Sequence, residues 1–335
     1  MIKLIRKLDN FDEDLPFFAQ EKYLKTVSDD YGWFISETFI LPFLIYKNFI
    51  MKRIVFTNET IELKAGTVEE EQEFLDEVVA YIKKNKICDF IYKPAPSAVF
   101  RTYPTNSDCF KAGSYIITPQ NNIEEMINKI TSASQRTHTR KAIKIGVVVE
   151  PTDDWKLVYD LCEDTLSRQN IQLGINKEEF YKQFKTLHPQ NMLMFKAMYE
   201  GKVEAVTVIF KDKINAYSEY TGRIERPQHG LVRLLNLYVL KYLVDKFDIK
   251  NFDFIGAVPD INEDTKEGKI QKFKEEFGST MRIGYQFRMI INPIRYSLFN
   301  KLITLKFKLK KIDYIDPVER DRLLSKTNLK VWIHQ

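Results

Sequence analysis

Residues 251–278 read NFDFIGAVPDINEDTKEGKIQKFKEEFG. Phe252, Phe254 and Ile255 make a short β-favouring run that Gly256 closes. Pro259, Asp260, Asn262 and Asp264 mark a polar loop without periodicity. After Gly268 the spacing predicts a helix with Ile270, Phe273 and Phe277 on one side and Gly278 as its C′ residue. Such a helix packs on a sheet and presents Lys274 beside a cleft. On spacing alone it is equally an ordinary amphipathic helix after an ordinary loop.

The preceding stretch supplies the elements this segment packs against. Helices are expected over 153–169 (Trp155, Val158, Leu161, Cys162, Leu166) and 177–187. Strands follow over 191–199, 203–210 and 214–220, with joins at 200–202 and 211–213 short enough for antiparallel hairpins. A long helix runs from Gly230 to Phe247, and a last strand covers 281–291. In the first half, 33–63 reads as a run of strands, with Pro42 implying an edge or a bulge. A helix over 67–85 and strands over 89–92 and 114–118 come next, with a loop carrying Pro94, Pro96, Ser97, Pro104 and Ser107 long enough to line a site. One helix is then expected from an Asn122 cap, with Glu125 at N3 and Ile123, Met126, Ile127 and Ile130 buried, continuing to Gly146. Its latter part, SQRTHTRKAIKIG, sets Arg136, Arg140 and Lys144 four apart with Lys141 alongside. Like charges at that spacing repel by a few tenths of a kcal/mol per pair unless an anion or acid offsets them. A solvated or acid-paired face and a phosphate-binding face both satisfy this. Strands alternating with helices give an α/β class.

A chain of 335 residues suits two domains, and 44% hydrophobic with 13% aromatic content is ample for packed cores. Cys88, Cys109 and Cys162 are widely spaced, which argues against a disulfide scaffold or zinc site and fits a reducing cytoplasm. The N-terminus lacks the apolar core of a secretory signal, and the run 39–46 is too short to span a bilayer, so a soluble or peripheral protein is expected. The net charge of +5 is unevenly placed. Arg295, Lys301, Lys306, Lys308, Lys310 and Lys311 lie between Met289 and Ile312 without an acid; removing that +6 from +5 leaves −1 elsewhere. This marks a local docking patch. Periodicity admits both a helix and a strand over 297–311. A basic amphipathic surface suits an anionic leaflet, at about 1 kcal/mol per Lys or Arg; packing back on the first domain is the other outcome.

Four features resemble the FemAB-like transferases, proteins with two GNAT acyltransferase domains. The phrase Phe252–Asp253–Phe254–Ile255–Gly256, then Gly268–Lys269–Ile270, Phe273–Lys274 and Phe277–Gly278, is similar to the family's strand–loop–helix motif. The run from Arg136 to Val147 resembles the phrase that ends the family's first domain. The element order of the second half is that of a GNAT domain. The join from Tyr220–Thr221–Gly222 to Pro227–Val232 stands where coenzyme A users carry a Gly-rich pyrophosphate loop. There PQHGLV lacks the first Gln or Arg and the last small residue, and no segment is long enough for the coiled-coil insertion of longer members.

The resemblance implies an α/β (α+β) fold of two tandem GNAT-like acyltransferase domains, 1–146 and 147–291, with mixed, mostly antiparallel sheets flanked by helices and a basic tail over 292–335. It implies attack by an amine on an activated acyl carbonyl, which needs alignment and oxyanion donors but no enzyme nucleophile. Lys274 then stabilises carbonyl or phosphate charge and Phe273 packs on the donor. Asp253 and Glu219 are candidate carboxylates for orienting the amine or accepting its proton, with Tyr217 on the same strand face as Glu219. Arg136, Arg140, Lys141 and Lys144 are candidate phosphate contacts. The four histidines lack ligand spacing, so no metal is expected, and the resemblance implies a donor co-substrate with no resident cofactor. The resulting reading is a cytoplasmic N-acyltransferase acting on a cell-wall or surface-glycan precursor with aminoacyl-tRNA as donor, touching the inner membrane face. An acyl-CoA-dependent GNAT enzyme for an amino sugar or small amine, and a non-catalytic membrane-docked scaffold, are the alternatives.

Overall fold

A computed structural model describes residues 2–8, 12–48, 50–169 and 171–309. In chain order the elements are β1 (Lys3–Ile5), α1 (Glu21–Val27), β2 (Tyr31–Ile35), β3 (Phe39–Lys47), β4 (Lys52–Phe56), β5 (Ile61–Glu62), α2 (Val68–Asn85), β6 (Phe90–Ile91), β7 (Asp108–Ile117), α3 (Ile123–Lys129) and α4 (Ala133–Lys144). There follow β8 (Val148–Pro151), α5 (Trp155–Ser167), α6 (Lys177–Leu187), β9 (Met192–Tyr199), β10 (Lys202–Lys211), β11 (Asn215–Arg223), α7 (Leu231–Phe247), β12 (Asn251–Asp253), α8 (Lys266–Glu275), β13 (Thr280–Ile290) and α9 (Pro293–Leu309).

By packing, the chain forms two compact units, one of residues 1–114, 256–271 and 282–335, the other of 115–255 and 272–281. The boundary expected at 146/147 from the sequence lies inside the second unit. Three of the four dividing points fall within β7, α8 and β13, and the fourth, at 255/256, lies in the loop after β12.

In the first unit, β1 to β4 form an antiparallel run, β6 lies parallel to β4, and β13 pairs antiparallel to β6. The helix α2 is the crossover between β4 and β6. Its start is fully capped: Thr67 Oγ1 accepts from the Glu70 N–H, and the Glu70 carboxylate accepts from the Thr67 N–H. Phe74, Leu75, Val78, Val79 and Ile82 pack its apolar stripe against Phe43, Phe56, Phe100 and Phe287. Pro42 is in neither an edge strand nor a bulge, as the sequence had suggested. It lies in β3 between the residues paired with β5 (Phe39, Ile40) and those paired with β4 (from Phe43), where that side has no ladder to interrupt.

The second unit repeats this grammar. Its sheet runs β7-β12-β11-β10-β9-β8, antiparallel except for the parallel pair β11–β12. The crossover helix is α7. Successive residues alternate faces, so α5 and α6 cover one side, with Phe180 against Tyr220, and α7 the other, with Phe195 against Tyr238 and Tyr242. The expected single helix from Asn122 to Gly146 is two. Ile130 leaves helical geometry and Ser132 caps the next start, its hydroxyl accepting from the Gln135 N–H. The expected fold class, tandem α/β units with mixed, mostly antiparallel sheets and flanking helices, is the one observed.

Candidate active site

The parallel pair β11–β12 is short. Ladder pairing covers Asn215–Tyr217 against Asn251–Asp253 and then stops. Beyond it the chain turns away: the Phe254 N–H donates to the Tyr115 carbonyl, and Asp253 Oδ1 accepts from the Ile255 N–H at 2.7 Å. Ile255 and Gly256 both take positive φ, +35° and +64°. For a β-branched residue that conformation is strained, and the Asp253 side chain holds it in place. The two strands therefore part at their carboxyl ends, the position where parallel strands open a crevice.

On the β11 side of this fork the ladder slips. Val208 pairs with Tyr220 but Ile209 pairs with Ser218, so Glu219 is the extra residue of a β-bulge. The bulge breaks the two-residue alternation, and the expected same-face pairing of Tyr217 with Glu219 does not hold through it. Tyr217 is buried and its hydroxyl donates to Asp212 Oδ2 at 3.3 Å. Glu219 is half-buried, and desolvation pushes its carboxyl up to about 7, opposed by a hydrogen bond from Tyr220.

On the β12 side stands Lys274 from α8. Its Nζ donates to the Ile255 carbonyl at 2.5 Å. Burial lowers its pKa to about 8, with the Asp253 charge pulling the other way. Asp253 thus acts twice, bracing the turn that carries the acceptor carbonyl and opposing the loss of charge that burial favours at Lys274.

The face of α8 differs from its expected stripe. Ile270 is 46% exposed, whereas Gly268 and Gln271 are buried. A Cβ on Gly268 would stand 2.2 Å from the Asn262 carbonyl oxygen, so only glycine allows that approach. Gln271 brackets Val258, accepting from its N–H and donating to its carbonyl at 2.6 and 3.0 Å. An amide pair, not an apolar contact, holds the start of this helix.

A residue the sequence reading passed over sits beside Phe273. Arg233, 4% exposed in the first turn of α7, lies over the rings of Phe273 and Phe277 at 4.7 and 4.9 Å and pairs with Glu276 at 2.7 Å. Burial lowers its pKa, opposed by Glu276. The signal was a lone charge inside LVRLLNLYVL. Phe273 packs first on this guanidinium.

The basic face of α4 is divided. Arg136 donates to the Ile130 and Thr131 carbonyls at 2.5 and 3.1 Å, closing the end of α3, and Arg140 binds Glu124 and Asn128. Lys141 and Lys144 are exposed. The structure thus brings Lys274, Asp253 and Phe273 to one strand end, with Glu219 on the strand that parts from it. It turns Tyr217, Arg136 and Arg140 into protein contacts. Among the described residues no group of three or more His, Cys, Asp or Glu is gathered as a metal would require.

The start of α7 has neither a side-chain cap nor an acid in its first turn. In the turn just before it, the Gln228 N–H donates to the buried Glu204 carboxylate at 2.6 Å. A Cβ on Gly230 would lie 2.3 Å from the His138 carbonyl of α4, so backbone already covers this turn.

With this geometry in hand, comparison with solved structures identifies the fold. FemX superposes with a TM-score of 0.67 at 14% identity, over 88% of this chain and 99% of that one. A conserved protein of unknown function from Bacteroides thetaiotaomicron VPI-5482 gives 0.51 at 10% identity, over 84% and 91%. At these identities the likeness is one of fold. No protein-family model and no curated protein matches the sequence.

Proposed function

We propose that the chain is an N-acyltransferase that forms an amide on an amine of a cell-wall or surface-glycan precursor, with aminoacyl-tRNA as donor. The observation that carries this reading is the open fork of the second unit. There Glu219, a carboxyl near neutral acidity, lies two residues past the last parallel pair on β11, and the desolvated ammonium of Lys274 lies on the Ile255 carbonyl just past β12. Groups tuned in opposite directions suit a base and an electrostatic stabiliser.

In the reaction, the acceptor ammonium loses a proton to Glu219 and the neutral nitrogen attacks the donor ester carbonyl. The C–N bond forms, and Lys274 meets the charge developing on the carbonyl oxygen. The C–O bond to the tRNA ribose then breaks, and the leaving oxygen takes a proton that the nitrogen sheds. Asp253 is a positioning residue, acting through Ile255 and Lys274. Phe273 offers its half-buried edge to the donor, and the exposed Lys141 and Lys144 offer charge to phosphates. The donor is a co-substrate, and no resident cofactor or metal enters.

Two observations favour tRNA over acyl-CoA. The turn leading into α7 is approached by the α4 backbone at Gly230, and the Gln228 amide already serves the Glu204 carboxylate. A pyrophosphate would have to displace both. The acceptor puts the chain in the cytoplasm, at the inner membrane face where that acceptor is lipid-linked.

The test supplies the full chain with charged tRNA or acyl-CoA and an amine acceptor. Transfer from charged tRNA is expected, falling about 10²–10³-fold in Lys274→Ala. Transfer from acyl-CoA with tight coenzyme A binding would replace the donor. No transfer from either donor, with Lys274→Ala indistinguishable from wild type, would point to the scaffold.

A further inference from the structure

The helix α9 resolves the helix-or-strand ambiguity of the basic tail as far as Leu309, with Lys310, Lys311 and the rest of 310–335 lying outside the described residues. Asn292 caps it, its carbonyl and side-chain oxygen accepting from the Tyr296 and Arg295 N–H groups, and Pro293 occupies the first position. The inner face is fixed within the first unit: Tyr296 packs on Phe90 at 4.8 Å, and Asn292 is tied to Asp89. Phe299 and Ile303 share that half-buried side.

The opposite side carries Ile294, Leu298, Leu302, Leu305 and Leu309, exposed by 83, 50, 43, 53 and 77%. At 3.6 residues per turn these five fall within an arc of about 80°. Lys301 and Lys308 border one edge of the arc, Arg295 and Lys306 the other. Arg295 is paired with Asp89 at 3.3 Å, and no acid lies between Pro293 and Leu309. Where α9 begins, Leu298 and Arg295 continue into a cleft of about 450 Å³ shared with Lys47, Ile50, Met51 and Lys52. Lys47 there is paired with Asp30. The helix cannot cross a bilayer, since no described helix is long and apolar enough.

We infer that this face of α9 docks the chain on an anionic lipid surface, with the leucine stripe among the acyl chains and the flanking lysines at phosphate level. Lysines on both edges of an apolar stripe suit side chains that bury their stems and keep their charge among headgroups. Charge also selects the occupant. A second copy on this face would bring two acid-free cationic helices together, whereas an anionic leaflet complements them. The inference deepens the membrane contact of the functional reading, but vesicle binding needs no turnover, so either can fail alone.

The experiment is co-sedimentation of the full chain with vesicles of phosphatidylcholine, with and without about 30% phosphatidylglycerol. Binding to the anionic vesicles alone, weakened by salt, is expected. The triple change Lys301→Glu, Lys306→Glu, Lys308→Glu lowers partitioning roughly 100-fold or more. Leu302→Glu with Leu305→Glu lowers it at least about tenfold, with circular dichroism and melting unchanged. Three results would each overturn the inference: equal binding to both vesicles, binding untouched by either set, or a dimer that the leucine changes dissociate.

Discussion

The two units solve the same topological problem and finish it differently. Each runs four antiparallel strands, crosses over by a helix, and returns with a strand parallel to the fourth. In the first unit the fork between β4 and β6 stays shut. The Tyr92 and Ala95 N–H groups continue donating to the Ile54 and Phe56 carbonyls, and Ser97 Oγ donates to the Thr57 carbonyl. Phe56, Phe100 and Phe287 fill the space behind, with ring centroids 5.0 to 6.3 Å apart. Acids and a capping box satisfy the crossover helix, leaving no appetite for an anion.

In the second unit the equivalent strands part after Tyr217 and Asp253, a bulge interrupts β11, and the crossover helix carries a buried arginine in place of acids. The same grammar yields a packed, hydrogen-bonded continuation in one unit and an early end to the parallel ladder in the other. In the proposed reaction the chemistry follows where the ladder ends, and not the fold itself.

Substitutions can separate the two forks. Phe56→Ala, in the closed one, is expected to destabilise the chain by about 3–5 kcal/mol, read from denaturant melts. An effect under about 1 kcal/mol would mean that fork is not a packed wedge. Arg233→Ala, in the open one, strands Glu276 and uncovers Phe273 and Phe277; about 3 kcal/mol is expected. Recovery of much of that loss in Arg233→Met would show packing, and not the ion pair, to be the main term.

The smallest effect is the sign of a pH dependence. Because the folded pKa of Glu219 is raised to about 7, its contribution is fully present below about 4.5 and lost as pH rises through 7. Glu219→Gln should therefore gain stability relative to wild type between pH 5 and 8. The gain is on the order of 1 kcal/mol after allowance for partial exposure. A relative loss over that range would contradict the burial assigned to this carboxyl.

Much of this architecture was legible beforehand. Hairpin turns and Asn122 as a cap announce themselves through local rules, whereas the phrase around Lys274 stands out through the resemblance it carries. The Asn292–Pro293 start of α9 was also written in the sequence, but the mixed periodicity after it obscured the signal. Other features have no local mark. Nothing at Glu219, such as a glycine, advertises a bulge, because pairing with β10 creates it. The directions of Arg136 and Arg140 depend on where α3 stops, and Ile270 loses its place to Gln271 because the Val258 backbone needs partners. The unit boundary passes inside β7 and α8, where periodicity is unbroken and only three-dimensional packing reveals it.

The open fork is the proposed place where the amide forms. The direct measurement is the pH dependence of kcat/KM for transfer from charged tRNA in wild type, Glu219→Gln and Lys274→Arg. Wild type is expected to rise with an apparent pKa of about 7 and fall with one of about 8. Glu219→Gln should lose the rising limb, and Lys274→Arg the falling one. Both limbs persisting unchanged in both variants would put the reaction elsewhere.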